Sequence, residues 1–424
     1  MSGNPVSAHG MRHLATVDLA GGGQITVEGT WAYVGHMKPP YGTSIIDVAD
    51  PRNPRVVATL GLESEASHTH KVRVAGDIMI TNVEQNDRHA IRRAQRLPEI
   101  TARLQSTLGR DPTEAELAHE LHVDVGLMPR LRAALAAGPY EDGGFKVWDI
   151  ADRARPRLLS YVRTGGVGVH RFDMDANYAY ISTEMAGYVG NILVIYDLKD
   201  PTSPREVSRW AMPGQHVAAG EEPTWPGQRH RLHHAMRDGD MLWAAVWYAG
   251  IRAIDITDIT KPRTVGEYRY HPPFPEPTHT IMRWARPIGG RRIAVGVDEE
   301  HEHTPGQPHA GLWVFDVTDP AKIQPLSMWH LSELASPFVT SGARFGAHQF
   351  QERSIDTHLY TAWFGGGLRV VDIADPEAPT EVAHYLPAPP SGFKAPQSND
   401  VDVDTRGLVY LLDRNRGLEI LERT

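Results

Sequence analysis

Residues 191–204 read NILVIYDLKDPTSP: a small residue, a short β-branched run, an aspartate, then a proline turn. The phrase returns as TSIIDVADPRNP (43–54), GFKVWDIADRARP (144–156), GIRAIDITDITKP (250–262), GLWVFDVTDP (311–320) and GLRVVDIADPEAP (367–379). A degenerate copy, GLEILER (417–423), ends the chain. Their acidic residues are Asp47, Asp149, Asp197, Asp255, Asp316, Asp372 and Glu422, with gaps of 102, 48, 58, 61, 56 and 50 residues. Each copy reads as a strand closed by an Asp/Pro turn. An apolar strand precedes it (TWAYVGH, IMITNVE, YAYISTE), and another follows (RVVATL, REVSRW, TEVAHY). A fourth, more polar strand such as HRFDMDA opens each unit. Four short strands about every 50 residues predict a β-propeller, here with seven blades. The last unit lacks its outer strand, and RHLATVDL (12–19) is a spare strand able to supply it and remove the open edge.

The first gap is one repeat too long. Residues 86–142 account for it with helical periodicity, and Asp111-Pro112-Thr113 before Glu114 and Glu116 signals a helix start. The expected organisation is therefore one propeller domain over 1–424, all-β, with a helical insertion in blade two. RDPTEAELAHELHV resembles a helical segment of bacterial sigma factors. The insertion carries 8 Lys+Arg against 9 Asp+Glu, so it lacks the basic footprint of a DNA-binding element. It reads instead as a lid or a homo-oligomer contact.

The repeat phrase resembles the LVIVD-repeat family of seven-bladed propellers, through LVIYD at 193–197, LWVFD at 312–316 and LRVVD at 368–372. That resemblance implies fold and leaves function open, because propellers host unrelated chemistries.

Composition excludes several classes. There are 424 residues, no cysteine and a net charge of −9. Disulfides, Cys-ligated metals and thiol nucleophiles are absent, and non-specific nucleic-acid binding is disfavoured. The opening MSGNPVSAHGMRHLATVDL has no signal-peptide pattern, and no apolar run reaches the roughly 18 residues of a membrane span. The expectation is a cytoplasmic protein with no membrane or nucleic-acid partner.

The 22 histidines are distributed with purpose. Aligned innermost strands put His70, His170, His233, His279 and His348 at one register in five consecutive blades, with Asn399 and Gly23 in the other two. Inner strands line the axis, so these imidazoles should converge and hold a divalent transition metal, iron first, with manganese or zinc as alternatives. Three or four are expected to bind, and the sequence does not select them. Strand alternation should turn the neighbours His68 and His234 aside. A second register, at the end of the returning strand, holds Glu84, Glu184 and Glu299, each placed to accept a hydrogen bond from an adjacent imidazole. Its other members are Met37, Trp247, Phe364 and Arg414.

The layout is similar to that of carotenoid-cleavage oxygenases, propellers with iron held by four His and backed by Glu, although their sequence motifs are not found here. That likeness implies iron-dependent oxidative cleavage. A comparison with oligogalacturonate lyases, which use three His and a Gln, implies lyase chemistry and draws attention to Gln349. Arg414, His36 and Tyr41 are catalytic candidates for substrate orientation or proton transfer. Trp247, Tyr248, Trp363 and Phe364 are expected to wall a pocket for a small organic substrate. Residues 298–303 (DEEHEH) form a ligand-rich loop that reads as solvated, with a second ion as the alternative. The competing class is a non-enzymatic scaffold for protein partners, its histidines inherited by duplication.

Overall fold

The computed structural model describes residues 5–136, 140–225, 230–271, 274–301 and 303–424. Glu302 of the ligand-rich loop and residues 137–139 of the insertion lie outside these.

The repeat phrase does what its residue types dictate. The aspartate closing the strand accepts a hydrogen bond from the amide two residues on: Asp47 from Ala49 (3.0 Å), Asp197 from Lys199 (2.8 Å), Asp372 from Ala374 (2.8 Å). The second aspartate repeats the turn, Asp50 to Arg52 and Asp200 to Thr202, both at 3.0 Å. These side-chain turns end the strand and reverse the chain.

Among the described residues the repeats form seven antiparallel units with four principal strands each, blades two and three being joined into one sheet. In blade three the strands are Gly165–Met174, Tyr178–Glu184, Asn191–Asp197 and Arg205–Trp210. Blade seven consists of Ser398–Val403, Leu408–Asp413 and Gly417–Arg423, completed by Met11–Asp18. That first long strand of the chain pairs antiparallel with the last, Val17 opposite Leu418 and Met11 opposite Arg423. The ring is thus closed as the spare strand suggests. Two pairings between strands lie outside the repeat scheme: Ser7–His9 adds a fifth strand to blade six, opposite His384–Leu386, and Gly168 of blade three pairs with Glu84 of blade two. The main hydrophobic clusters lie between neighbouring blades; one joins Val295 and Leu312 of blade five to Phe350 and Leu359 of blade six.

The insertion leaves blade two between Ile78–Gln85 and Gly144–Asp149, which pair with one another. It holds helices Arg88–Ala94, Leu97–Leu108, Glu114–Glu120 and Met128–Ala136. Thr113 caps the third in a reciprocal capping box with Glu116. Leu97, Ile100, Leu117, Leu121, Met128 and Leu131 form a small core of their own.

Candidate metal centre

The inner strands bring the five aligned histidines together at the axis, all buried. Successive ring centroids are 4.9 Å (His70–His170), 4.7 Å (His170–His233), 4.3 Å (His233–His279) and 4.4 Å (His279–His348) apart. They border a cavity of about 600 Å³. Further along the same strands, ion pairs Lys71–Glu352 (2.6 Å), Arg73–Asp173 and Arg353–Asp402 (3.0 Å) fill the channel. The insertion borders the cavity on the other side, through Arg88, Val123, Leu127 and Leu131 among others.

Which nitrogen of each ring carries the hydrogen follows from its partner. His170 donates from Nδ1 to Glu84 Oε2 (3.0 Å), and His233 from Nδ1 to the His279 carbonyl (2.7 Å). His348 donates from Nδ1 to the Asn399 carbonyl. His279 Nδ1 meets Thr280 Oγ1 (3.2 Å), whose own hydrogen goes to Gln349 (2.8 Å). All four therefore expose an Nε2 lone pair. At His279 that lone pair accepts from Arg171 Nη2 (2.8 Å). His170 and His233 direct theirs at each other across 2.8 Å. His70 is the exception. Asn82 Oδ1 accepts from the Lys71 amide (2.8 Å), so its Nδ2 donates to His70 Nδ1 (3.1 Å). The hydrogen of His70 is left on Nε2, which is buried without a partner.

Burial depresses the pKa of all five rings, His170 down to about 3 and the others well below the ordinary value. With both Nδ1 hydrogens committed and burial disfavouring the charged rings, the two Nε2 atoms of His170 and His233 meet as acceptors. Two bare nitrogens at 2.8 Å repel unless a cation lies beside both. The donor set thus fits a transition metal, for which neutral imidazole is suited. Two axial groups, His68/His70/Glu84 and His233/His279/Glu299, bring candidate ligand atoms within 4.8 Å of one another.

The carboxylates divide differently from the register. Burial raises the pKa of Glu84, but Arg88 (2.9 Å) and hydrogen bonds from His170 and His68 outweigh it and hold the group well below the carboxylate range. Its closest imidazole partners are thus His170, in the next blade, and His68; its own blade's His70 stands at 3.6 Å. Glu299 lies 3.8 Å from His279 Nε2 and 3.7 Å from His348 Nε2, facing lone pairs rather than N–H groups. Glu184 is turned away: it accepts from Arg92 of the insertion (2.7 Å) and the Val167 amide (3.0 Å). The inner strand of blade three shifts register between Gly165 and Arg171, opposite the end of the strand that carries Glu184.

Other expected residues separate. Arg414 and Trp247 border the cavity. Trp247, held at φ 51°, stacks on His233 at 4.9 Å. Phe364 packs 4.8 Å from His348, with the Arg344 guanidinium 3.9 Å from its ring. His36 is tied inside blade one, to the Gly21 carbonyl (3.1 Å) and Ser44 (2.8 Å). Tyr41 is an exposed residue, 45% accessible. Tyr248, in the turn after the strand Met241–Ala245, turns its edge to His271 (5.5 Å), and Trp363 packs on Trp329 (5.3 Å). Gln349 lies beneath the ring, accepting from Thr280 and Arg171 (3.2 Å). His234 points aside to Phe172 O (3.2 Å), as expected, whereas His68 enters the cavity. His68 precedes the innermost strand Val72–Ala75, so strict alternation does not govern it. Arg171 and Arg344 were missed; Arg171 is at the position after the register His, where Lys71, His234 and Gln349 form a polar layer.

The ligand-rich loop is not solvated at Glu300 and His303. Glu300 Oε1 accepts from His303 Nδ1 (2.7 Å) and His309 Nδ1 (3.1 Å), and the three form a further group of candidate ligands. Asp298 is buried against Tyr270 (2.8 Å) and Trp313 (2.7 Å).

A family model for the LVIVD repeat matches residues 174–211 and 357–386. No curated protein matches the chain. Among solved structures it is similar to Raptor of Chaetomium thermophilum, with TM-score 0.59 and 11% identity over 98% of this chain and 30% of that one. The chain thus spans under a third of that Raptor's length. The Cps50 (Swd1) β-propeller domain of Myceliophteria thermophila matches with TM-score 0.54 and 10% identity, over 98% of this chain and all 100% of the other. The periplasmic gluconolactonase PpgL of Pseudomonas aeruginosa gives TM-score 0.55 and 12% identity, over 90% and 88%. At such identities these likenesses speak for the fold alone. No helix among the described residues is long and apolar enough to cross a membrane. The chain is a β-propeller that carries LVIVD repeats.

Proposed function

We propose that the protein is a metalloenzyme acting on a small organic molecule at the axial cavity, with His170, His233, His279 and His348 as metal ligands and His70 outside the set. The observation that carries this reading is the approach of the His170 and His233 Nε2 atoms to 2.8 Å while both Nδ1 atoms are engaged elsewhere, by Glu84 and the His279 carbonyl. The four ligand histidines would hold a divalent ion, which would supply Lewis-acid or redox chemistry toward an oxygen-bearing substrate. The protein's own groups do the rest. Glu84 and the carbonyls of His279 and Asn399 fix ring orientation through the Nδ1 hydrogens. Arg171 must withdraw from His279 Nε2 for that ring to join. Trp247 covers one side, and Val123, Leu127 and Leu131 of the insertion, acting as a lid, limit water entry.

Neutral imidazoles leave the charge of an ion uncompensated, which supports iron and oxidative cleavage as the leading reaction class. Glu299 supports a second reading. Its carboxylate stands beside His279 and His348 with Arg344 at 3.1 Å, where it serves as a general base for lyase, hydratase or hydrolase chemistry. Elemental analysis of the purified protein, with EPR under nitric oxide, tests both. Iron responding to nitric oxide supports the first, and tight manganese or zinc the second. Less than about a tenth of an equivalent of any transition metal, with none regained on incubation, overturns both in favour of a protein-binding scaffold.

A further inference from the structure

The imidazole ring is incomplete. Five blades supply histidine, while blades seven and one supply Asn399 and Gly23. Gly23 has no room for a side chain, since a Cβ there would lie 2.7 Å from His70 Cβ. On this arc other groups face the cavity. Arg414 of blade seven stands at the register position where blades two and five carry Glu84 and Glu299. Gln24 of blade one and His70 of blade two complete the arc.

These groups are short of acceptors. Arg414 donates to Asn399 Oδ1 and lies over the Phe364 ring at 5.3 Å, with no carboxylate in ion-pair range among the described residues. Burial, and then Arg344, push its pKa well down; the distant Glu299 only partly offsets them. His70 Nε2–H, the Gln24 amide and Arg171 Nε are buried without partners in the same cavity, and these residues are 5%, 1% and 2% accessible. Of the other cations that line the cavity, Arg88, Arg130, Arg171 and Arg344 have carboxylate partners in Glu84, Asp87, Glu352 and Glu299, and Lys38 and Arg93 are exposed; part-buried Arg414 has no such partner among the described residues. A guanidinium without a carboxylate, beside buried N–H donors without acceptors, is unfavourable until an anion meets it. A planar carboxylate suits a guanidinium best, accepting two parallel hydrogen bonds.

We propose that the arc formed by Arg414, Gln24 and His70 is the seat for the carboxylate of a small organic acid. The bound acid would direct its reacting end toward His170, His233, His279 and His348. This rests on the reading of the axial cavity as an active site. An anion beside Arg414 and a metal ion at the histidines would also favour each other's binding.

The test is calorimetric titration of the metal-free and metal-loaded full chain with benzoate and succinate, set against benzamide and succinamide. Both acids are expected to bind at least tenfold more tightly than their amides, and more tightly again with metal present. Arg414→Gln should cost at least tenfold for the acids alone, with Arg414→Lys recovering part. On the wild-type protein, benzoate but not benzamide should protect Arg414 from phenylglyoxal, mapped by mass spectrometry; this needs no variant to fold. Equal binding of acids and amides, an unchanged Arg414→Gln, or absent protection overturns the proposal. Inorganic phosphate binding more tightly than either acid overturns the carboxylate assignment. Metal uptake on the same samples keeps the two readings apart. Arg414-dependent benzoate binding without metal uptake sinks the metal reading alone, and metal uptake with no preference for acids sinks this one alone.

Discussion

His170 and His233 approach nitrogen to nitrogen at 2.8 Å, and each has its Nδ1 hydrogen committed elsewhere, to Glu84 and to the His279 carbonyl. This relationship separates imidazoles that expose lone pairs from His70, which exposes an N–H. His233→Ala is therefore expected to abolish stoichiometric metal binding, while His70→Ala keeps it. Metal content by mass spectrometry after dialysis decides; equal loss in both variants would refute the assignment.

Glu84 and Glu184 occupy one sequence register but different surroundings. Glu84→Gln should weaken metal binding about 10- to 100-fold, because it loosens the His170 ring. Glu184→Gln should leave metal affinity within a factor of about three, since its partners are Arg92 and a backbone amide. Chelator competition measures both, and a metal defect in Glu184→Gln counts against this geometry.

Met11–Asp18 closes the ring, with Met11 and Val17 buried. Deleting residues 1–20 removes those side chains, at about 1.5–3 kcal/mol for each one fully buried, and exposes the edge of Gly417–Arg423. Thermal denaturation should show a melting temperature lower by many degrees. An unchanged melting temperature would contradict the closure.

Burial pushes the Asp298 pKa up to about 8, against donors from Trp313 and Tyr270 that pull it down. A carboxyl group raised in the folded state favours folding most below its unfolded value of 3.8, and this is lost as pH rises toward about 8. The slope is about 1.4 kcal/mol per pH unit for one group. Asp298→Asn should flatten this fall, so that its urea midpoint relative to wild type is better at pH 8 than at pH 5. The same relative midpoint at both values would show that Asp298 ionises normally.

The insertion has its own small core, separate from the clusters between blades. Replacing residues 87–141 by a Gly-Ser linker should leave the propeller folded and metal-binding, and should reduce turnover if the helices act as a lid. Unchanged turnover with conversion of an oligomer to a monomer would identify them as an interface instead.

The repeat phrase, the strand that closes the ring, the site of the insertion and the convergence of five histidines were all legible in the sequence. Each depends on local rules: alternation along a strand, an aspartate capping a turn, and repetition that sends equal positions to one axis. The tertiary structure decided what those rules leave open. Equal register gave Glu84 and Glu184 different neighbours, because Arg92 of the insertion and the Val167 amide hold Glu184 while His170 and His68 donate to Glu84. His36 shares the end of its strand with the expected catalytic face, yet Gly21 and Ser44 satisfy both its nitrogens within blade one. His68 entered the cavity from a segment before the regular strand. The tautomers of the ring, and with them the division between His70 and the other four, depend on Asn82, Glu84, Asn399 and Thr280, which come from several blades. Hydrogen-bond partners supplied by different blades are set by packing between blades, and no periodicity along one chain encodes them.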